Sequence, residues 1–162
     1  MDMMDTIEQV KSGFLRAKDE LVKTFAATPD DRINWSPSPS SRTPIQQVAH
    51  IGWSVKSINE MLEGHPYQAN NTDEADRFFR EWERQFNTRE DVLALLDRNC
   101  ADYVAWLEGL TPDSLELMVE APFKLGFVPV KVGIAFPASQ MQWHTAQLAY
   151  MQTIYGDHDW RL

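Results

Sequence analysis

Thr43-Pro44-Ile45-Gln46-Gln47-Val48-Ala49-His50-Ile51-Gly52-Trp53-Ser54-Val55-Lys56-Ser57-Ile58-Asn59-Glu60-Met61-Leu62 carries both a helix start and a helix stripe. The Thr43 hydroxyl is placed to cap the first free amides, Pro44 suits the first helical position, and Gln46 lies three residues after the threonine, as a capping box requires. Val48, Ile51, Val55, Ile58 and Leu62 then recur at steps of three and four, the spacing of one apolar helix face. Gly64 and Pro66 stop the helix. His50 falls off this stripe, on a flank with Gln47, Trp53, Ser54, Ser57 and Met61, which predicts a second, partly buried face.

Upstream, Ile7, Val10, Phe14, Ala17, Leu21 and Phe25 repeat the same period and end at Thr28-Pro29. The following segment, with Pro37 and Pro39 among serines, supports neither helix nor central strand. Downstream, Thr72-Asp73-Glu74 is a cap for a shorter helix bearing Phe78, Phe79, Trp82 and Phe86. Thr88 with Asp91 opens another, whose face carries Val92, Leu96, Asn99, Tyr103, Trp106 and Leu110 before Thr111-Pro112 closes it. Residues 115 to 136 are broken by Pro122, Gly126, Pro129 and Gly133, and the alternation of Val128, Val130 and Val132 allows at most a short edge hairpin. A last helix runs to Tyr155 and stops at Gly156, with His158 and Trp160 in a short tail. The expectation is an all-α single domain over residues 1–162. It is a four-helix bundle, with long helices near 4–27, 44–63, 88–110 and 138–155 and one long crossover.

Among 162 residues, 43% hydrophobic and 24% charged match an ordinary globular composition, which excludes wholesale disorder. A single cysteine excludes an internal disulfide framework. No apolar run reaches membrane-spanning length and the N-terminus is acidic, so the expected compartment is the cytoplasm. Fifteen Lys and Arg against 24 Asp and Glu give a net charge of -9, a sign that repels phosphate backbones and anionic lipid. Neither nucleic acid nor membrane is an expected partner.

Chemistry is sought where a helix face that ought to be apolar is polar, because buried polar groups need partners. On the last helix Gln140, His144, Gln147, Met151 and Ile154 share one face, polar in its first half and apolar in its second. If the apolar half faces the core, the polar half faces the bundle interior near one end. Taken alone, the polar half reads as a hydrogen-bonded amide cluster. His65, in a Gly-His-Pro turn, and His158 read as surface residues, and Cys100 as a small packing residue. There is no Gly-rich phosphate loop and no G-x-S-x-G elbow.

Asn34-Trp35-Ser36-Pro37, followed by Arg42-Thr43-Pro44-Ile45-Gln46-Gln47-Val48-Ala49-His50-Ile51, resembles the first half of the DinB/YfiT-like family. His144-Thr145-Ala146-Gln147-Leu148 with Tyr150 resembles that family's closing helix. The resemblance implies an up-down-down-up bundle, often dimeric, with a divalent metal such as zinc or nickel held by three histidines. His50 matches the first ligand. The other two form an H-x-x-x-H pair, of which His144 matches the second while Gln140 stands at the first. An amide oxygen is a weaker ligand than imidazole for these ions.

The family's better characterised members look like metal-assisted enzymes of low-molecular-weight thiols, including thiol transferases and a mycothiol-dependent isomerase, so the expected activity is that of a thiol-dependent transferase or hydrolase. One expectation is therefore a metalloprotein with a His50, Gln140, His144 site. A second is a metal-free bundle that holds a small ligand at the same end through His50, Gln140, His144 and Gln147, with Trp53 and Trp143 lining the pocket. A third is an acidic helical dimer that serves as an interaction surface. The resemblance and the many aromatic residues both lead to the expectation of a homodimer.

Overall fold

In a computed structural model, residues 3–159 are described, with side chains for residues 5–159; Trp160 lies outside the described residues. Four long helices build a bundle: α1 (Met3–Ala26), α2 (Pro44–Leu62), α4 (Arg89–Glu108) and α7 (Phe136–Ile154). Between them lie α3 (Thr72–Glu83), the single turns α5 (Pro112–Leu115) and α6 (Val130–Gly133), and an antiparallel hairpin of β1 (Met118–Glu120) and β2 (Phe127–Pro129). The Thr43 capping box is complete: its hydroxyl accepts from the Gln46 amide at 3.2 Å, and Gln46 Oε1 accepts from the Thr43 amide at 3.0 Å.

Residue pairs across the interfaces give the helix directions. Lys11 meets Glu108 and Lys18 meets Asp97, so α1 and α4 are antiparallel. Leu62 meets Gly133 just before α7, His50 meets His144 and Gln47 meets His144 and its neighbour Gln147, so α2 and α7 are antiparallel. Phe14 packs on Tyr103, whose hydroxyl donates to the Ile134 carbonyl at the foot of α7, while Gln152 at the far end donates to Thr24 O. Thus α1 and α7 run parallel, and the order is up-down-down-up. The link between the parallel neighbours α2 and α4 must travel back along the bundle, and α3 makes that return.

The core is drawn from all four helices: Phe14, Leu21 and Phe25; Ile45, Ile51 and Val55; Leu96, Tyr103 and Leu107; Met141 and Leu148. Burying a side chain of this size contributes roughly 1.5–3 kcal/mol. Asn99, on the inner face of α4, is satisfied by donating to Gly52 O at 2.8 Å. Gly133 lets α6 close on α2, since a Cβ there would stand 2.4 Å from Leu62 Cδ2.

Several local expectations change. On α7 the buried residues are Pro137, Met141, Leu148, Met151 and Gln152, while Gln147 is exposed and Ile154 is 51% exposed. The helix sits in the groove between α1 and α2, so its buried arc is centred one residue away from the stripe of Gln140, His144, Gln147 and Ile154, and His144 lies at its border. The Val128, Val130, Val132 alternation ends early, because the strand stops at Pro129 and Val130 begins α6. Asn71, not Thr72, caps α3, and Thr111-Pro112 opens α5 with its own capping box after α4 has ended at Gly109.

Candidate functional site

His50 projects from the flank of α2 toward α3. Its Nδ1 lies 2.8 Å from Glu83 Oε1, and a carboxylate facing that nitrogen makes it the donor. Glu83 is fully buried, and its other oxygen accepts from Arg42 Nε at 2.7 Å. Arg42 also donates to Asp76 at 3.1 Å, and Arg80 donates to the same Asp76 at 2.6 Å. A buried carboxylate is tolerated only when paired in this way. The ring of His50 is further seated edge-on against Phe79, at 4.9 Å between centroids.

His144 enters from α7 and meets His50 at 4.8 Å between ring centroids, with the planes 67° apart. Its Nδ1 lies 2.9 Å from Gln47 Oε1 and 2.9 Å from Gln147 Oε1, so two carbonyl oxygens face one nitrogen and that nitrogen carries the hydrogen. Burial, reinforced by the nearby His50, lowers its pKa to about 4, so the ring is neutral at neutral pH. In both rings Nδ1 is engaged, and Nε2 makes no hydrogen bond with the described residues.

Two cavities flank this pair. One, of about 430 Å³, is bordered by His50, Gln140, Tyr67, Phe79, Phe123 and Phe136. Phe123 stands there at a φ of 59°, a left-handed conformation that costs a non-glycine residue roughly 1 kcal/mol or more. The other, of about 670 Å³, is bordered by Arg42, Arg80, Gln47, Gln147, Trp143 and Tyr150. Gln140 thus shares a cavity with His50, and Trp143 and Gln147 share the second. Trp53 lines neither; it packs on Phe78, Phe79 and Trp82 and borders a separate polar cleft with Lys56 and Asp102. His65 and His158 are exposed, and Cys100 is buried, its thiol pushed up to about 12 by desolvation.

Glu83 and Arg42 were not singled out in the sequence. A signal for Glu83 existed: it lies four residues after Phe79 and eight after Ala75, the other buried residues of α3, so a carboxylate occupies a core position.

The bundle order, up-down-down-up, defines a class of small helical proteins. The chain belongs to the DinB superfamily, whose family model matches residues 14–147. Among solved structures, YfiT from Bacillus subtilis, described as a probable metal-dependent hydrolase with an unusual four-helix bundle topology, is 14% identical with a TM-score of 0.73, covering 93% of this chain and 87% of that one. The DinB-like protein YjoA from Bacillus subtilis is 19% identical at a TM-score of 0.69, covering 95% and 96%. The colibactin self-resistance protein ClbS, solved in complex with double-stranded DNA, is 17% identical at 0.66, covering 91% and 95%. At such identities the likeness is one of fold. No curated protein matches the chain.

The donor set fits a divalent ion in part. Two imidazoles bound through nitrogen to one tetrahedral ion have centroids about 5 Å apart, given bonds of about 2 Å, and the observed separation is 4.8 Å. A third strong donor is lacking: among the described residues no group of three His, Cys, Asp or Glu side chains could hold a metal. On the His50 side the cavity offers neutral oxygen donors, the Gln140 amide among them with the hydroxyls of Ser54, Ser57 and Tyr67.

Proposed function

We propose that the chain is a metal-assisted hydrolase or thiol-dependent transferase acting on a small molecule. In this reading His50 and His144 are the imidazole ligands of one zinc or nickel ion, and Gln140 is a substitute third. The observation that carries it is the fixing of both Nδ1 atoms, by Glu83 and by the Gln47 and Gln147 amides, which leaves both Nε2 atoms for an ion on rings that meet edge to face at 4.8 Å. When bound, the ion supplies a Lewis acid that polarises a water or thiol. Glu83 holds the proton on His50 Nδ1 and strengthens that ring as a donor, as outer carboxylates do for ligating histidines. Arg42 balances the buried carboxylate. Low basicity keeps His144 unprotonated and available at neutral pH. Tyr67, Phe79 and Phe136 give the cavity beside His50 apolar walls that exclude water from a bound substrate.

Titrating chelator-stripped protein with zinc or nickel tests the reading. One ion per chain is expected, bound more weakly than by three histidines. Gln140→His should tighten binding by at least about tenfold, since it restores the third nitrogen, and His144→Ala should abolish it. No binding by either the wild type or Gln140→His contradicts the reading. A metal-free ligand site at the same place is favoured by one observation, the amide at the third donor position.

We also propose that the chain forms a homodimer. Leu117, Met118, Leu125 and Phe127 crowd the hairpin region while 57% to 79% exposed, an apolar patch of the kind that subunits cover. Light scattering that finds a dimer, and a monomer for Phe127→Asp, supports this; one chain mass for the wild type at micromolar concentration overturns it.

A further inference from the structure

The larger cavity beside the imidazole pair presents guanidinium groups on the surface of an acidic protein. The chain carries a net charge of -9, yet among the described residues the roughly 670 Å³ cleft is lined by two arginines, Arg42 and Arg80, and by no carboxylate. Asp76 and Glu83, which pair with these guanidiniums, do not line it. Neither guanidinium is used up. Arg42 donates through Nε and Nη2, and Arg80 through Nε and through Nη1 to Ser40 O, so Arg42 Nη1 and Arg80 Nη2 make no hydrogen bond with the described residues.

The α7 side of the cleft exposes large apolar side chains that the fold does not account for. Trp143, Tyr150 and Ile154 recur along α7 and are 64%, 69% and 51% exposed, although each borders the cleft. Burying them in the core is not an option, because α7 already packs its other face against α1 and α2. A volume of this size suits one drug-sized ligand and is small for a folded partner.

We propose that this cleft binds a small amphipathic organic anion, an aromatic or alkyl carboxylate, sulfonate or phosphate. Its charged head would lie on Arg42 and Arg80 and its apolar body on Trp143, Tyr150 and Ile154. Guanidinium donors already braced by carboxylates behind them are pre-organised for such a head group, and the Trp143 indole offers a flat surface for the body. The site goes beyond the metal reading and does not depend on an ion, because its recognition groups are separate from the Nε2 atoms of His50 and His144.

A matched pair of fluorescent probes tests it: 1-anilinonaphthalene-8-sulfonate, and N-phenyl-1-naphthylamine, which has the same rings without the sulfonate. Both are titrated into the native full chain with and without chelator, so that a failed metal reading leaves this measurement intact. The sulfonate is expected to bind saturably, one per chain, with energy transfer from tryptophan, and at least about tenfold more tightly than its neutral counterpart. Arg80→Gln, whose side chain is 39% exposed and whose fold is checked by near-ultraviolet circular dichroism, should remove that preference. Trp143→Ala should weaken both probes several-fold. Equal affinity for the two probes, an unchanged preference in Arg80→Gln, or sulfonate binding only where dilution dissociates an oligomer seen by light scattering overturns the proposal; the last result would make the wall a subunit interface.

Discussion

His50 and His144 face each other across 4.8 Å, yet opposite chemistries hold them. The His50 half is ionic: Glu83 is wholly buried between the imidazole and Arg42, and the chain of charges runs on through Asp76 to Arg80. The His144 half is neutral: two glutamine oxygens share one ring nitrogen, and Gln147 is exposed. The first arrangement is costly to break, since removing Arg42 strands the buried Glu83 carboxylate and removing Glu83 takes the acceptor from both His50 and Arg42 Nε. The second can lose one amide and keep the other. A site built this way has one rigid wall and one adaptable wall.

Glu83→Ala is expected to have the largest effect, about 2–3 kcal/mol of lost stability, because His50 loses its acceptor and Arg42 loses its buried partner, keeping only the half-exposed Asp76. Chemical denaturation measures it, and a loss below about 1 kcal/mol would mean that the pair is solvated like a surface bridge. The next effect is that of pH on the neutral half. His144 has its pKa lowered from 6.5 to about 4 by burial. Above pH 6.5 the ring is neutral in both the folded and the unfolded chain. Between about pH 6.5 and 4 only the unfolded chain takes the proton, so stability falls across that window. Its signature is a smaller drop in denaturation midpoint from pH 7 to pH 5 in His144→Gln than in the wild type; equal drops would show that the ring is not desolvated.

Thr43→Ala should cost about 1 kcal/mol, because it removes the cap that starts α2 and aligns the His50 wall. An unchanged midpoint would show that tertiary packing alone holds that end. Gln147→Ala is expected to be smallest, about 0.5 kcal/mol or less, since Gln47 still accepts from His144 and the site is exposed. A loss comparable to that of Glu83→Ala would erase the distinction between the two walls.

The bundle was legible because its signals are local. Thr43 with Gln46, and Thr88 with Asp91, announce helix starts, and the stripes of Phe14, Leu21 and Phe25 or Val92, Leu96 and Tyr103 match the buried faces. Short elements were harder. Thr111-Pro112 reads equally well as the end of one helix and the start of another, and here it does the second. Within the site, His50 stood out by falling off its own stripe. Its partners did not, because Arg42 lies in a loop and Glu83 hides among the aromatic residues of α3. Only tertiary packing shows that this carboxylate points inward. The α7 face was misread by one residue for the same reason: a helix wedged between two neighbours buries an arc that its own sequence does not centre.

The central proposal is that His50 and His144 bind one ion through their Nε2 atoms. Long-range proton–nitrogen NMR of histidine-labelled, chelator-stripped protein tests it most directly, followed by stepwise addition of zinc. Both His50 and His144 should appear as Nδ1–H tautomers, and both Nε2 resonances should shift together over one equivalent of ion. An Nε2–H tautomer on either ring, or a zinc-induced shift of one ring without the other, would contradict the claim.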